Sequence, residues 1–385
     1  MFRSGIYIGW VGFNNLGDEA IYEQCRRRFA DIHWSPFLTV DYSVQPGQFI
    51  RRSSRDLKRV AGVIADEIAS RRRLRSLGAN VRLRLAAVLD RQVAVCGGDI
   101  YLNRNVAALE AYRKVRKQTG TPVPVFGTGV LHPDFWTGRE NGWVDKRKEW
   151  VDLLGELPVV GVRGPLSKAY LEEVGARNVV VCGDPAVSYH SRYANRELRT
   201  RQDGPLRIGI NAGFYPGTWG NVEKVQASLV ALARWLQKEG HQTEIVPAWG
   251  RDYERCVTVA NAACLGQSAV VPMCSSPGDF LTKIEKFDLF VALNMHSGVL
   301  AAAANVPFVS LEYHPKCRDF ASTLNWEDYL IRTDQLTAEV LIDRVSVLMA
   351  RLPSERKELC RRMCMLVRTF EGYCKDIEPL LLGEK

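Results

Sequence analysis

His296 stands where the apolar run FDLFVAL gives way to the alanine-rich stretch NMHSGVLAAAANVP. Imidazole exchanges a proton near neutral pH, so a histidine at such a turn points to acid–base work. Buried without a partner, the same ring would cost about 1 to 3 kcal/mol. Other reactive side chains follow apolar runs in the same way. GWVGFNNLGDEAI carries Asn14, Asn15, Gly17 and Asp18, VAVCGGDIYLN carries Gly97, Gly98 and Asp99, and VFGTGVLHPDFW carries His132. Arg163, in VVGVRGPLSK, comes just before a helix opening on Pro165, where the helix amino terminus already attracts an anion. Asn211, in IGINAGFYPGTWG, begins a glycine-spaced loop able to hold a phosphate, although it matches neither GxxxxGK nor GxGxxG. FVSLEYHPKCRDF adds Glu312, His314 and Lys316. The chemistry implied is proton transfer beside an anion site. Two acids have simpler readings: Asp18 as a helix cap, and Asp184, in VCGDPAVSYH, as a turn residue.

The elements that must carry these residues alternate along the chain. Strand candidates in the first half are GIYIGWVG, FLTVDY, QVAVCGG, PVPVFGTGV, PVVGVRG and NVVVCGD, separated by amphipathic helical stretches. The polar run SRYANRELRTRQDGP interrupts the alternation, which restarts with LRIGINAG, TEIVPAW, SAVVPM, FDLFVAL and PFVSLEY. The expectation is an α/β protein of two doubly wound, Rossmann-like domains facing a cleft. We place the N-terminal domain at 1–195, a linker at 196–205, the C-terminal domain at 206–350 and a helical segment at 351–385. In such sheets ligands sit beyond the carboxyl ends of the strands, and the residues above follow the strands. His296 and Lys316 follow successive strands and are expected at one edge.

Composition narrows the function classes. With 385 residues and 46% hydrophobic content the chain is long enough for two globular domains. It has no apolar run of about 18 residues and no cleavable signal pattern, so a cytoplasmic location is expected. Ten cysteines are too few for a disulfide scaffold at this length. Cys360 and Cys364 share a helix face, but with no histidine near them in sequence they read as packing residues, and no metal site is expected. The net charge of +9 is concentrated at 51–91, where twelve Arg or Lys face four acids. That segment has two readings: a basic amphipathic surface meeting anionic membrane at its inner face, or a solvated helical face. No helix-turn-helix, RNP or zinc-finger pattern supports nucleic acid.

Four stretches, GWVGFNNLGDEAI, CGGDIYLN, GVRGPLSKAYLEEVGARNVVVCGDPA and MHSGVLAAAANVPFVSLEYHPKCRDF, resemble the polysaccharide pyruvyl transferase family in order and spacing from Gly9 to Phe320. The resemblance implies a fold similar to GT-B glycosyltransferases. It also implies transfer of a pyruvyl group from phosphoenolpyruvate, as co-substrate and with no cofactor, to a glycan or lipid-linked oligosaccharide acceptor. The family's characteristic histidine falls on His296. Many members carry a basic residue two positions earlier, where this chain has Asn294. On this reading His296 is the acid or base. Arg163, Lys316, Asn211 and Ser297 form the donor side. Asn14, Asn15, Gly17, Asp18, Gly97, Gly98, Asp99 and His132 form the acceptor side. Two rivals stand beside it: a GT-B enzyme using a nucleotide sugar, with Glu312 as the carboxylate for the ribose, and a non-catalytic partner in glycan assembly.

Overall fold

In the computed structural model the described residues are 3–9, 11, 15–37, 92–100, 109, 112, 113, 115–117, 120, 122–130, 147–198, 204–213 and 219–383. Asn14, His132, the basic segment 51–91, residues 199–203 of the expected linker and 214–218 of the glycine loop lie outside them, as do the side chains of Gly98 and Asp99.

Two parallel sheets are present. The first has order β2-β1-β3-β4-β5-β6, from β1 (Arg3–Ile8), β2 (Ile32–Phe37), β3 (Gln92–Ile100), β4 (Val125–Val130), β5 (Val160–Val162) and β6 (Val179–Val181). The second has order β11-β10-β9-β7-β8, from β7 (Arg207–Ile210), β8 (Gln242–Ile245), β9 (Leu289–Ala292), β10 (Phe308–Glu312) and β11 (Leu330–Arg332). Helices of the first half are α1 (Leu16–Arg28), α2 (Arg147–Leu154) and α3 (Pro165–Glu173). Those of the second are α4 (Val222–Lys238), α5 (Tyr253–Ala262), α6 (Pro277–Ile284), α7 (Met295–Ala303), α8 (Pro315–Thr323), α9 (Ala338–Ala350) and α10 (Leu352–Leu382). No helix among the described residues is long and apolar enough to cross a membrane.

The strands depart from expectation at three places. The second strand is IHWSPF, and all of the expected FLTVDY beyond Phe37 lies outside the described residues. This strand lies at the sheet edge, where Pro36 removes no needed ladder donor, and Ile32 and Trp34 point inward while His33 points out. SAVVPM forms only an isolated bridge, Ile245 with Val270, because Pro272 ends any ladder. β11 has three residues, too short for a period-two signal.

Two features lock the halves together. Every residue of α7 is buried, which fits its run of alanines: it packs on β9 and β10 on one side and on the first half's 3-10 segment Pro185–Arg192 on the other. α10 crosses back onto the first sheet, where Tyr373 donates to the Val125 carbonyl, Phe370 meets Phe126 edge to face, and Arg28 pairs with Glu378. One apolar core therefore runs from Tyr7 in β1 through α7 to Ile377 in α10.

Candidate active site

Adjacent parallel pairing of β9 with β10, Val291 opposite Val309, sets the starts of α7 and α8 at one sheet edge. Asn211 organises that edge. Its Nδ2 donates to the Val246 carbonyl beyond β8 at 2.8 Å, and its Oδ1 accepts from Asn294 N at 2.7 Å and from Ser297 Oγ at 3.3 Å. Ser297 also donates to the Asn294 carbonyl at 2.6 Å. Both side chains are fully buried. In this structure their polar atoms are engaged in tying three strand ends together. Asn294 is the N-cap of α7, with Oδ1 accepting from His296 N at 2.9 Å.

The His296 ring leaves its own domain. Its Nε2 lies 3.5 Å from Asp184 Oδ2, and among the described residues it has no better hydrogen-bond partner. The ring rests on Gly17 in the first turn of α1, where a Cβ would come within 2.0 Å of Nδ1. Only glycine permits that approach. The side chain is 9% exposed, and two helix amino termini, those of α1 and α7, meet at it. Asn15 caps α1 by accepting from Gly17 N at 3.1 Å, and Leu16 N donates to the Ala248 carbonyl at 3.3 Å, joining the halves beside the ring.

Asp184 caps the 3-10 segment by accepting from Ala186 N at 2.9 Å, and its Oδ2 accepts from Arg163 Nε at 2.9 Å. Burial alone would raise its pKa. The Arg163 charge, the His296 ring and the Ala186 amide outweigh burial and hold it below the usual carboxylate value. Arg163 is 1% exposed and its charge compensates Asp184. The anion at the amino terminus of α3 is the chain's own Asp319, from α8. It accepts from Leu166 N at 2.8 Å, Ser167 N at 3.2 Å and Ser167 Oγ at 2.6 Å. Burial raises the Asp319 pKa despite those donors.

Glu312 is 1% exposed and receives both Arg318 Nε (3.0 Å) and Nη2 (2.6 Å). His314 caps α8 by accepting from Lys316 N at 3.2 Å, and the half-buried Lys316 holds its ammonium 5.7 Å from the Tyr313 ring centre. Asp18 is half-buried in the first turn of α1, and Gly97 is buried in β3. The structure thus brings Gly17 to His296 at the start of α1, which Asn15 caps, with Arg163 one residue removed through Asp184.

Two site residues escaped the sequence. Asp184 read as a turn residue because a Gly-Asp-Pro step accounts for itself. Asp252 was not singled out: its Oδ2 accepts from Ala248 N (3.0 Å) and Trp249 N (2.9 Å), holding the loop that touches Leu16. Burial pushes it up to about 6, against those amides, which lower it.

Solved structures share this two-domain architecture at low identity. An alpha,alpha-trehalose 6-phosphate synthase from Burkholderia multivorans is 12% identical with a TM-score of 0.56, and the match covers all of both chains. A UDP-GlcNAc 2-epimerase from Neisseria meningitidis is 11% identical with a TM-score of 0.52, over 95% of this chain and 99% of that one. A putative UDP-N-acetylglucosamine 2-epimerase from Listeria monocytogenes is 10% identical with a TM-score of 0.55, over 94% and 91%. The fold is that of GT-B glycosyltransferases and these epimerases. No curated protein matches the sequence. A family model described as polysaccharide pyruvyl transferase matches residues 15–315, and the chain belongs to that family.

Proposed function

We propose that the protein transfers the pyruvyl group of phosphoenolpyruvate to two hydroxyls of one sugar in a polysaccharide or its precursor, forming a ketal and releasing inorganic phosphate. The observation that carries this reading is His296, set across the domain boundary against a buried, ionised Asp184. A carboxylate beside one ring nitrogen orients the imidazole for proton transfer.

The steps balance on a proton donor at this position. Protonation of the donor's methylene carbon makes it the ketal methyl and leaves C2 electron-poor. One sugar hydroxyl attacks C2 and loses its proton. The C2–O bond to phosphate then breaks, and the second hydroxyl closes the ring. Of the two hydroxyl protons, one replaces that taken from His296 and the other leaves on hydrogen phosphate. In this reading Lys316 holds an anionic group of the donor as a point charge, and the amino termini of α1 and α7 add their dipoles. Asn15, Asp18 and the β3 turn at Gly97 serve the acceptor. Because Asp184 covers Nε2 and Gly17 covers Nδ1, substrate reaches the ring when the first turn of α1 shifts off it.

The nucleotide-sugar alternative loses the carboxylate it relied on, since Glu312 is engaged bidentately by Arg318. The test is phosphate release from phosphoenolpyruvate by the purified protein, with and without a panel of polysaccharides and lipid-linked oligosaccharides. Acceptor-dependent release with a methyl ketal in the product is expected. No release with any acceptor, together with no phosphoenolpyruvate binding by calorimetry, overturns the proposal.

A further inference from the structure

His190, in the 3-10 segment Pro185–Arg192, sits against α10 with its Nε2 3.4 Å from Cys364 Sγ. Cys360, one helical turn earlier on the same face, completes a group in which all three potential ligand atoms lie within 4.8 Å of one another. Sequence spacing gave these cysteines no histidine, and the fold supplies one from the other half of the chain.

The group has the parts of a built site. His190 Nδ1 lies 3.1 Å from the Ala303 carbonyl at the end of α7. A backbone carbonyl there fixes the proton on Nδ1 and leaves the Nε2 lone pair facing the sulfurs, the outer-shell arrangement common behind metal-bound histidines. The ring itself is 1% exposed, while both cysteines are partly exposed, so the site has a rigid wall and an approach from solvent. Asn305 borders Cys360, and its buried side-chain oxygen has no hydrogen-bond partner among the described residues. The spacing is within reach of a tetrahedral zinc site, in which ligand atoms stand about 3.5 to 3.8 Å apart.

We propose that His190, Cys360 and Cys364 bind a zinc-class divalent ion, with one coordination position left for water or Asn305. Two thiolates and a neutral imidazole match zinc's preference for sulfur and nitrogen and balance its charge, and binding releases the two thiol protons. The ion clamps the 3-10 segment to α10. Because Asp184 caps that segment, the clamp steadies the carboxylate behind His296 while standing apart from the ring. The proposal does not depend on which reaction the protein performs.

The test is titration of the reduced, metal-free, full-length protein with cobalt(II), followed by displacement with zinc. Expected are one equivalent bound, tetrahedral ligand-field bands, and a thiolate-to-cobalt charge-transfer band that zinc abolishes. Cys360→Ser and Cys364→Ser should each weaken binding at least about tenfold and diminish the charge-transfer band, while Cys264→Ser, at an exposed cysteine elsewhere, leaves both unchanged. His190→Gln, checked for folding by circular dichroism, should behave like the cysteine variants. No charge-transfer band in the wild-type protein, or one that survives Cys360→Ser and Cys364→Ser together, overturns the proposal.

Discussion

Two buried carboxylates cross the boundary between the halves, in opposite directions and with different satisfaction. Asp319 reaches from α8 into the first half and takes three donors at the start of α3, two amides and a hydroxyl. Asp184 reaches toward the second half, but its close donors, Arg163 and Ala186, belong to its own half, and it meets His296 only at 3.5 Å. The first contact is a finished cap that holds the domains in place. The second is left loose on the side facing the ring, as a proton-transfer site needs.

The largest effect is expected from Arg163→Leu. It strips the charge that compensates Asp184 at the bottom of the contact, and breaking a buried pair in this way costs about 3 to 5 kcal/mol. Urea unfolding measures it, and a loss under 1 kcal/mol would mean Asp184 is not ionised there. Asp319→Ala should cost about 2 to 3 kcal/mol by leaving buried donors unpaired, with the rate per folded molecule retained. Asp319→Asn, which keeps an acceptor, should recover part of that stability. A large loss of rate at retained stability in Asp319→Ala would erase the contrast between the two contacts.

Gly17→Ala sharpens the comparison from the ring side. A Cβ 2.0 Å from Nδ1 must displace either His296 or the first turn of α1. Misplacement on that scale lowers turnover about 10²-fold, and the overpacked contact costs about 1 to 3 kcal/mol of stability. Unchanged turnover would show that the ring position is not critical.

The smallest effect concerns Asp252, whose folded pKa of about 6 stands above its ordinary 3.8. Between these values the folded state binds more protons than the unfolded one, so stability is fullest below about pH 4 and falls as pH rises through 6. Asp252→Asn keeps an acceptor for Ala248 and Trp249 and should flatten that fall. Parallel pH–stability curves for wild type and variant would contradict the assignment.

Much of the fold was legible because its strands are continuous apolar runs. FDLFVAL and PFVSLEY announce β9 and β10 directly, and their succession places α7 beside α8. Edges were harder, since β2 contains Pro36 and β11 is three residues long. In the site, His296 stood out as a polar residue among alanines. What sequence does not carry is burial: Arg163, Asn211 and Ser297 have the side chains of an anion site, yet each is enclosed with an internal partner. Nor does local sequence show that Asp184, His190 and Asp319 meet partners in the opposite half, because those pairings depend on how the two sheets face each other.

The most direct measurement is a comparison of wild type with His296→Gln for acceptor-dependent phosphate release, phosphoenolpyruvate affinity by calorimetry, and unfolding midpoint. If His296 moves the proton, turnover falls about 10²- to 10⁴-fold while affinity and stability stay near wild type. Undiminished turnover, or a loss matched by equal loss of phosphoenolpyruvate binding, would contradict a proton-transfer role for the histidine between the domains.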